Sequence, residues 1–185
     1  MTRIVAGRWG GRSLSTPAGL TTRPTNEKVR AALGNSLQST GALVGATVLD
    51  LFAGTGALGL ELASRGADRV VLVENDRAAL AAARANVAAL GATGVQVVAG
   101  SAASYPTSAG AVKFDIVVAD PPYDLPNDHL VAILRSLHEQ QLLTPHADLI
   151  IERSRRTADL AWPEPLVGER SKRYGDTVLL FGRAP

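Results

Sequence analysis

Three short stretches of this 185-residue chain carry side chains whose type and spacing could do chemistry, and each sits at the end of an apolar run. The first is Asp120-Pro121-Pro122-Tyr123, directly after FDIVVA. Prolines preset φ and lack an N–H, so two in succession stiffen a loop and remove two backbone donors. That leaves the Asp120 carboxylate and the Pro121 carbonyl as acceptors with few competing donors. Two acceptors converging on one point suit the exocyclic amino group of a nucleobase. Accepting both hydrogens draws the nitrogen toward sp³ geometry and frees its lone pair to attack an electrophilic methyl. The Tyr123 ring can stack on the base and hold it in line, and Asp120 can take the proton released.

The second stretch runs from Asp50 to Gly59, where Gly54, Gly56 and Gly59 match the spacing GxGxxG at a strand-to-helix turn. Alone, that pattern is a dinucleotide fingerprint and keeps an NAD-dependent oxidoreductase open. Asp50 argues for a different ligand, since a carboxylate at the strand end would repel a pyrophosphate but can serve an amino-acid moiety. The third feature is Glu74, closing VVLVE, where a carboxylate can take both hydroxyls of a ribose. Together with the proline loop, these point to S-adenosyl-L-methionine as cofactor. Its candidate contacts are Asp50, Phe52, Ala53, Gly54, Gly56, Glu74, Asn75, Ser101 and Ala102, with Ser101 following the third strand where a side chain or N–H can meet the adenine ring. The sequence has no cysteine, which excludes a disulfide scaffold, a thiolate nucleophile and any Cys-based metal site. His129, His138 and His146 fit no ligand or triad spacing and read as surface residues, so no metal is expected.

These residues need a scaffold, and the hydrophobic pattern supplies one. ATVLDLF, DRVVLVE, VQVVAG, KFDIVVAD and ADLIIER read as buried strands, separated by helical stretches ALGLELASRG, DRAALAAARANVAAL and LPNDHLVAILRSLHEQQ. Strands alternating with helices imply a mostly parallel, doubly wound α/β sheet, in which ligands bind at the carboxyl ends of the strands. RSKRYGDTVLLFGR, with Gly175-Asp176 at its centre, predicts a C-terminal antiparallel hairpin. Ahead of the first strand, RIVAGRWGGRSLSTPAGL predicts a small hairpin or extended arm, and Thr25 is placed to cap a helix reaching about Gln38. The expected division is a basic extension over residues 1–45 and a cofactor domain over 46–185.

Charge divides along the same line. The net +2 conceals six bases against one acid, Glu27, in residues 1–49, a net of +5, and a net of −3 beyond them. Clustered guanidinium groups favour a polyanion. Arg3, Arg8, Trp9, Arg12, Arg23, Thr25, Lys28 and Arg30 are therefore the candidate RNA contacts, with Trp9 equally suited to anchor the arm on the core. Arg153, Arg155, Arg156, Arg170, Lys172 and Arg173 read as a solvated face that could extend the basic surface. The N-terminus lacks the apolar run of a signal peptide, and no run is long enough to span a membrane, so a cytoplasmic monomer is expected.

RIVAGRWGGRSL, TRPTNEKVRAALGN, VLDLFAGTGALGLELASRGA, the glutamate of VVLVEND and DPPY, in this order, resemble the RsmD family over nearly the whole chain. That resemblance implies a Rossmann-like class I methyltransferase fold with a seven-stranded sheet and an N-terminal RNA-gripping extension. It also implies S-adenosyl-L-methionine as donor and N2 of a guanine in 16S ribosomal RNA of the small subunit as acceptor. By position it assigns Asp50, Gly54, Gly56 and Glu74 to the cofactor and Asp120, Pro121, Pro122 and Tyr123 to the guanine. Arg23, Thr25 and Arg30 would lie near the mouth of the site. One departure stands out. Where the family usually reads RExLFN, this chain has Arg30-Ala31-Ala32-Leu33-Gly34-Asn35, without the acid or the aromatic. Adenine-N6 methylation, and an RNA-binding assembly factor without turnover, are the alternatives that the residues leave open.

Overall fold

The structure, a computed structural model, describes residues 2–17, 24–157 and 159–185. Arg23 and the side chain of Thr25 lie outside the described residues. In chain order the elements are β1 (Thr2–Arg3), β2 (Ser13–Leu14), α1 (Pro24–Ser39), β3 (Thr47–Leu51), α2 (Ala57–Ser64), β4 (Arg69–Glu74), α3 (Arg77–Leu90), β5 (Val95–Ala99), α4 (Tyr105–Ser108), β6 (Phe114–Ala119), α5 (Asn127–Glu139), β7 (Leu143–Ser154), β8 (Val167–Tyr174) and β9 (Thr177–Arg183).

Buried strands with apolar side chains on both faces must be covered on both sides, and the sheet is built accordingly. Its seven strands run β5-β4-β3-β6-β7-β9-β8, with β5, β4, β3, β6 and β7 parallel. The hairpin β8–β9 closes one edge antiparallel to β7. Val48, Leu72, Val118 and Ile150 face one layer, where they pack with Leu60 and Leu62 of α2 and Val29, Leu33 and Leu37 of α1. Leu49, Val71, Val117 and Leu149 face the other, against Leu130, Ile133, Leu134 and Leu137 of α5. That last set recurs at helical spacing, one stripe of an amphipathic helix.

Local chemistry fixes the ends. Asp76 caps α3 by accepting from the Ala79 N–H at 2.8 Å, and Gly91 closes the helix in the left-handed region at φ 61°. The sequence predicts β7 as residues 147–153; the strand is longer, Leu143–Ser154, because Leu143 pairs with Phe114 across an irregularity in the β6 register. The four-residue α4 has no counterpart in the sequence reading; it is too short for an apolar period to register.

Candidate active site

The strand order reverses between β3 and β6, so the carboxyl ends of these two strands splay their loops apart and open a crevice. All the chemically suggestive carboxylates end strands around it. Asp50 pairs across the sheet with Leu72 and Val118, two residues deeper than Glu74 and Asp120 respectively. Because side chains alternate, Asp50, Glu74 and Asp120 fall on the same face as Val48, Leu72 and Val118, the side carrying α2.

Two glycines of the turn have separate tasks. Gly54 adopts φ +55° and faces open space, so its backbone can approach a ligand. A Cβ on Gly59 would stand 2.3 Å from Leu72 Cδ2 and 3.0 Å from Asp50 Oδ2, so Gly59 lets α2 lie against β4. Phe52, half-buried, holds φ 62°, a strained value for an aromatic residue and a mark of a shaped loop. Ala53 is buried and its N–H is tied to the Val73 carbonyl at 3.0 Å.

Asp50 is 1% exposed and accepts from the Gly59 N–H at 2.8 Å. Burial pushes its pKa up to about 8, the Gly59 hydrogen bond opposes this, and the nearby charges of Asp120 and Glu74 add to it. Asp50 thus braces the turn from beneath through Oδ2, at the strand end where the sequence reading expects the amino-acid portion of the cofactor. Glu74 is half-buried and held by three backbone donors, Gly54 N–H to Oε2 at 2.7 Å and the N–H groups of Asn75 and Asp76 to Oε1 at 2.7 and 2.8 Å. Its orientation is set before any ligand arrives, and with two donors on Oε1 and one on Oε2 the carboxylate keeps a free lone pair on Oε2. Asn75 is exposed beside it, while Ala102 is buried and the Ser101 hydroxyl is engaged with the Ser104 hydroxyl at 2.9 Å.

Asp120 presents an accessible face to the crevice, and the protein atoms crowding its other side raise its pKa. Pro121 is buried, Pro122 exposed, and Tyr123 is 51% exposed on the rim. The loop is anchored from the opposite layer. Arg153 donates to the Leu125 carbonyl at 2.9 Å and is itself 2% exposed. This corrects its reading as part of a solvated basic face: the side chain alternates inward from β7 and staples the proline loop to that strand. Arg155, Arg156, Arg170 and Arg173 are exposed as expected, whereas Lys172 is half-buried. His129 and His146 are exposed and His138 is half-buried, and no group that could hold a metal ion occurs among the described residues.

The site also contains Glu152, a residue that the sequence reading passed over. It is half-buried one position beyond Ile151, the partner of Ala119, so it stands beside Asp120 on the same face. Burial raises its pKa first and the charge of Asp120 raises it further. The signal was present: IIE repeats the pattern of an acid closing an apolar run, as in VLD, LVE and VAD.

The basic segment is docked on α2. Glu61, 0% exposed, accepts from Val5 N–H at 2.7 Å, Ala6 N–H at 3.1 Å and Arg65 Nε at 2.7 Å. Asn86 bridges further, exchanging bonds with the backbone of Ser15 and donating to the Thr55 carbonyl at 3.0 Å, which couples the extension to the glycine turn. Arg3, Arg8, Arg12 and Lys28 are exposed. Arg3 lies 3.4 Å from Glu27, and Arg12 donates to the Ala89 carbonyl at 2.8 Å. Trp9 packs against the core with Arg8 stacked 4.1 Å above its ring, an anchor by placement. Arg30 turns inward instead, 7% exposed, donating to the Arg3 carbonyl at 2.7 Å with Glu61 3.8 Å away. The departure at Gly34 has a local reason, because a Cβ there would lie 2.6 Å from Arg65 Nε.

A seven-stranded sheet in this order, with acids and a glycine turn at the switch point, is the fold of the class I S-adenosylmethionine-dependent methyltransferases. Methyltransferases solved with this cofactor or its demethylated product bound share it with TM-scores of 0.69 and 0.68 at 18% and 17% identity, a likeness of fold alone. The family described as Conserved hypothetical protein 95 matches residues 2–183, and the chain belongs to it, the RsmD family. Ribosomal RNA small subunit methyltransferase D of Escherichia coli K12 is 42% identical over 121 residues, covering 65% of this chain and 60% of that protein. The chain thus aligns with less than two thirds of that relative's length. YlbH of Bacillus subtilis, named as a candidate rRNA methyltransferase, is 33% identical over 178 residues, 95% of each chain. The solved structure of yhhF from Escherichia coli superposes with TM-score 0.83 at 31% identity, covering 98% of this chain and 97% of that one.

Proposed function

We propose that the protein transfers a methyl group from S-adenosyl-L-methionine to N2 of a guanine in 16S ribosomal RNA. The observation that carries this reading is the end of β6. There the Asp120 carboxylate opens on the crevice beside the glycine turn with no hydrogen-bond donor or ion-pair partner among the described residues. Such an acceptor fits an amino group brought by the substrate.

The cofactor side fits as well. Glu74, with its carboxylate fixed by three N–H groups, would hold the ribose hydroxyls. The open backbone at Gly54, with Phe52, Ala53 and Gly56, would line the adjoining amino-acid portion, and Asp50 would keep that turn in place through Gly59. Asn75, Ala102 and the backbone at Ser101 would border the adenine. When bound, the cofactor supplies an electrophilic methyl.

The chain's own residues then position a base. Asp120 and the Pro121 carbonyl accept the two amino hydrogens and leave the nitrogen lone pair free, while Pro122 keeps the loop stiff and Tyr123 stacks on the ring. The protein atoms that crowd Asp120 lift its carboxyl above its ordinary value, which suits it to take the proton that leaves the amino group. A paired or stacked guanine must be unstacked to reach this crevice. Residues 1–45 would grip the RNA through Arg3, Arg8, Arg12 and Lys28, with Arg23 and Thr25 as further contacts and Trp9 anchoring the arm, while residues 46–185 hold the cofactor. Arg30 serves the protein interior and is left out of this surface. A monomer acting in the cytoplasm on the small subunit or its assembly intermediate completes the reading.

Incubation with methyl-labelled donor and unmodified small subunits or free 16S rRNA tests this proposal. Label in N2-methylguanosine supports it. Label in N6-methyladenosine overturns the choice of base, and RNA binding without any labelling indicates an assembly factor instead.

A further inference from the structure

Asp120 and Pro121 offer two acceptors, which can serve the amino group of guanine or of adenine alike. What flanks that amino group differs. On guanine the neighbouring ring position is N1–H, a donor; on adenine it is N1, an acceptor. A third group in the crevice could tell them apart.

Glu152 is placed to be that group. The parallel register sets Ala119 against Ile151, so Asp120 and Glu152 are the next pair outward, side by side on the face that carries α2. Glu152 is half-buried, and no described residue donates a hydrogen bond to its carboxylate or forms an ion pair with it. Its sequence neighbour Arg153 points to the other layer and binds the Leu125 carbonyl at 2.9 Å, locking the loop that carries Asp120 to the strand that carries Glu152. With the Pro121 carbonyl as the third, the crevice would offer three acceptor groups, two of them carboxylates that repel one another, and among the described residues none donates to either carboxylate. Burial raises both carboxyl pKa values, and the charge of Asp120 raises that of Glu152 further.

We propose that Glu152 is a specificity-determining residue that accepts the N1–H of guanine while Asp120 and Pro121 hold its N2 amino group. This rests on the reading of the protein as a guanine-N2 methyltransferase. Guanine presents three adjacent N–H hydrogens, one at N1 and two at N2, matching the three acceptor groups. Adenine would set its N1 lone pair against a carboxylate. A polar site that matches one partner discriminates mainly by what it leaves unpaired in the other.

The test uses the full chain and a 16S rRNA in which the methylated guanine, once mapped, is replaced by 2-aminopurine. That base keeps the N2 amino group but has an acceptor at N1. The wild type should methylate the guanine RNA with a kcat/KM on the order of 10- to 100-fold higher, the scale of one hydrogen bond to a charged group. In E152Q the amide can donate to N1 of 2-aminopurine, so the ratio should fall toward one. Should E152Q fail to fold, as judged by melting and by binding of S-adenosylhomocysteine, E152D replaces it. The retracted carboxylate should then slow the guanine RNA but not the 2-aminopurine RNA. A ratio left unchanged by the folded variant, or a wild type that prefers 2-aminopurine, overturns the assignment of Glu152. A wild type that labels adenine or no base overturns the underlying activity instead.

Discussion

Replacing Glu61 by glutamine should detach the N-terminal hairpin from the domain that it crosses. The carboxylate is 0% exposed and takes the N–H groups of Val5 and Ala6 together with Arg65 Nε, and it also faces Arg30 at 3.8 Å. Two guanidinium groups, both nearly buried, depend on this one charge. Glutamine keeps the volume but offers one acceptor oxygen, and its amide hydrogens must point at a donor. Breaking a buried ion pair by neutralising one partner costs about 3–5 kcal/mol, because the remaining charge stays desolvated. For a chain of this length that corresponds to a melting temperature lowered by about 6–20 °C. Denaturant titration measures the loss, and amide hydrogen exchange at Val5 and Ala6 locates it, since those two N–H groups should lose protection ahead of the sheet. A loss below about 1 kcal/mol, or unchanged protection at both amides, would refute the role given to Glu61.

Further outcomes follow from the glycine turn and from Asp50. Alanine at Gly54 meets no atom but is strained at φ +55°, so G54A should lower stability by about 1–2 kcal/mol and weaken S-adenosylhomocysteine binding by roughly tenfold in calorimetry. Alanine at Gly59 collides with Leu72 and crowds Asp50, so G59A should lower stability by about 1–3 kcal/mol as well as affinity. Asp50, held near 8 in the folded chain against its ordinary value of 3.8, binds a proton that the unfolded chain releases. Stability of the ligand-free protein should therefore fall as pH rises from about 4 to about 8. In D50N that part of the decline should vanish from melting curves taken across the range.

Much of this site could be read from the order of residues because acids that close apolar strands must converge once those strands lie parallel. Asp50, Glu74 and Asp120 were legible for that reason, as were the glycines and the C-terminal hairpin at Gly175-Asp176. Glu152 follows the same rule but lies between Ile151 and Arg153, in a stretch whose arginines read as surface charge. The inward turns of Arg30 and Arg153 were not legible. A guanidinium reads as exposed unless its partner is known, and those partners are Glu61 and the Leu125 carbonyl, each about 30 residues away in the chain. Nor does sequence show that Asp50 braces the glycine turn; the 2.8 Å bond from the Gly59 N–H does so.

Single-turnover methyl transfer to unmodified 16S rRNA, with the product digested to nucleosides, tests the central claim most directly. The wild type should yield N2-methylguanosine. D120A should react at a rate at least on the order of 100-fold lower, with S-adenosylhomocysteine affinity and RNA affinity within about threefold of wild type. Methylation by D120A at the wild-type rate, or a product other than N2-methylguanosine, would contradict that claim.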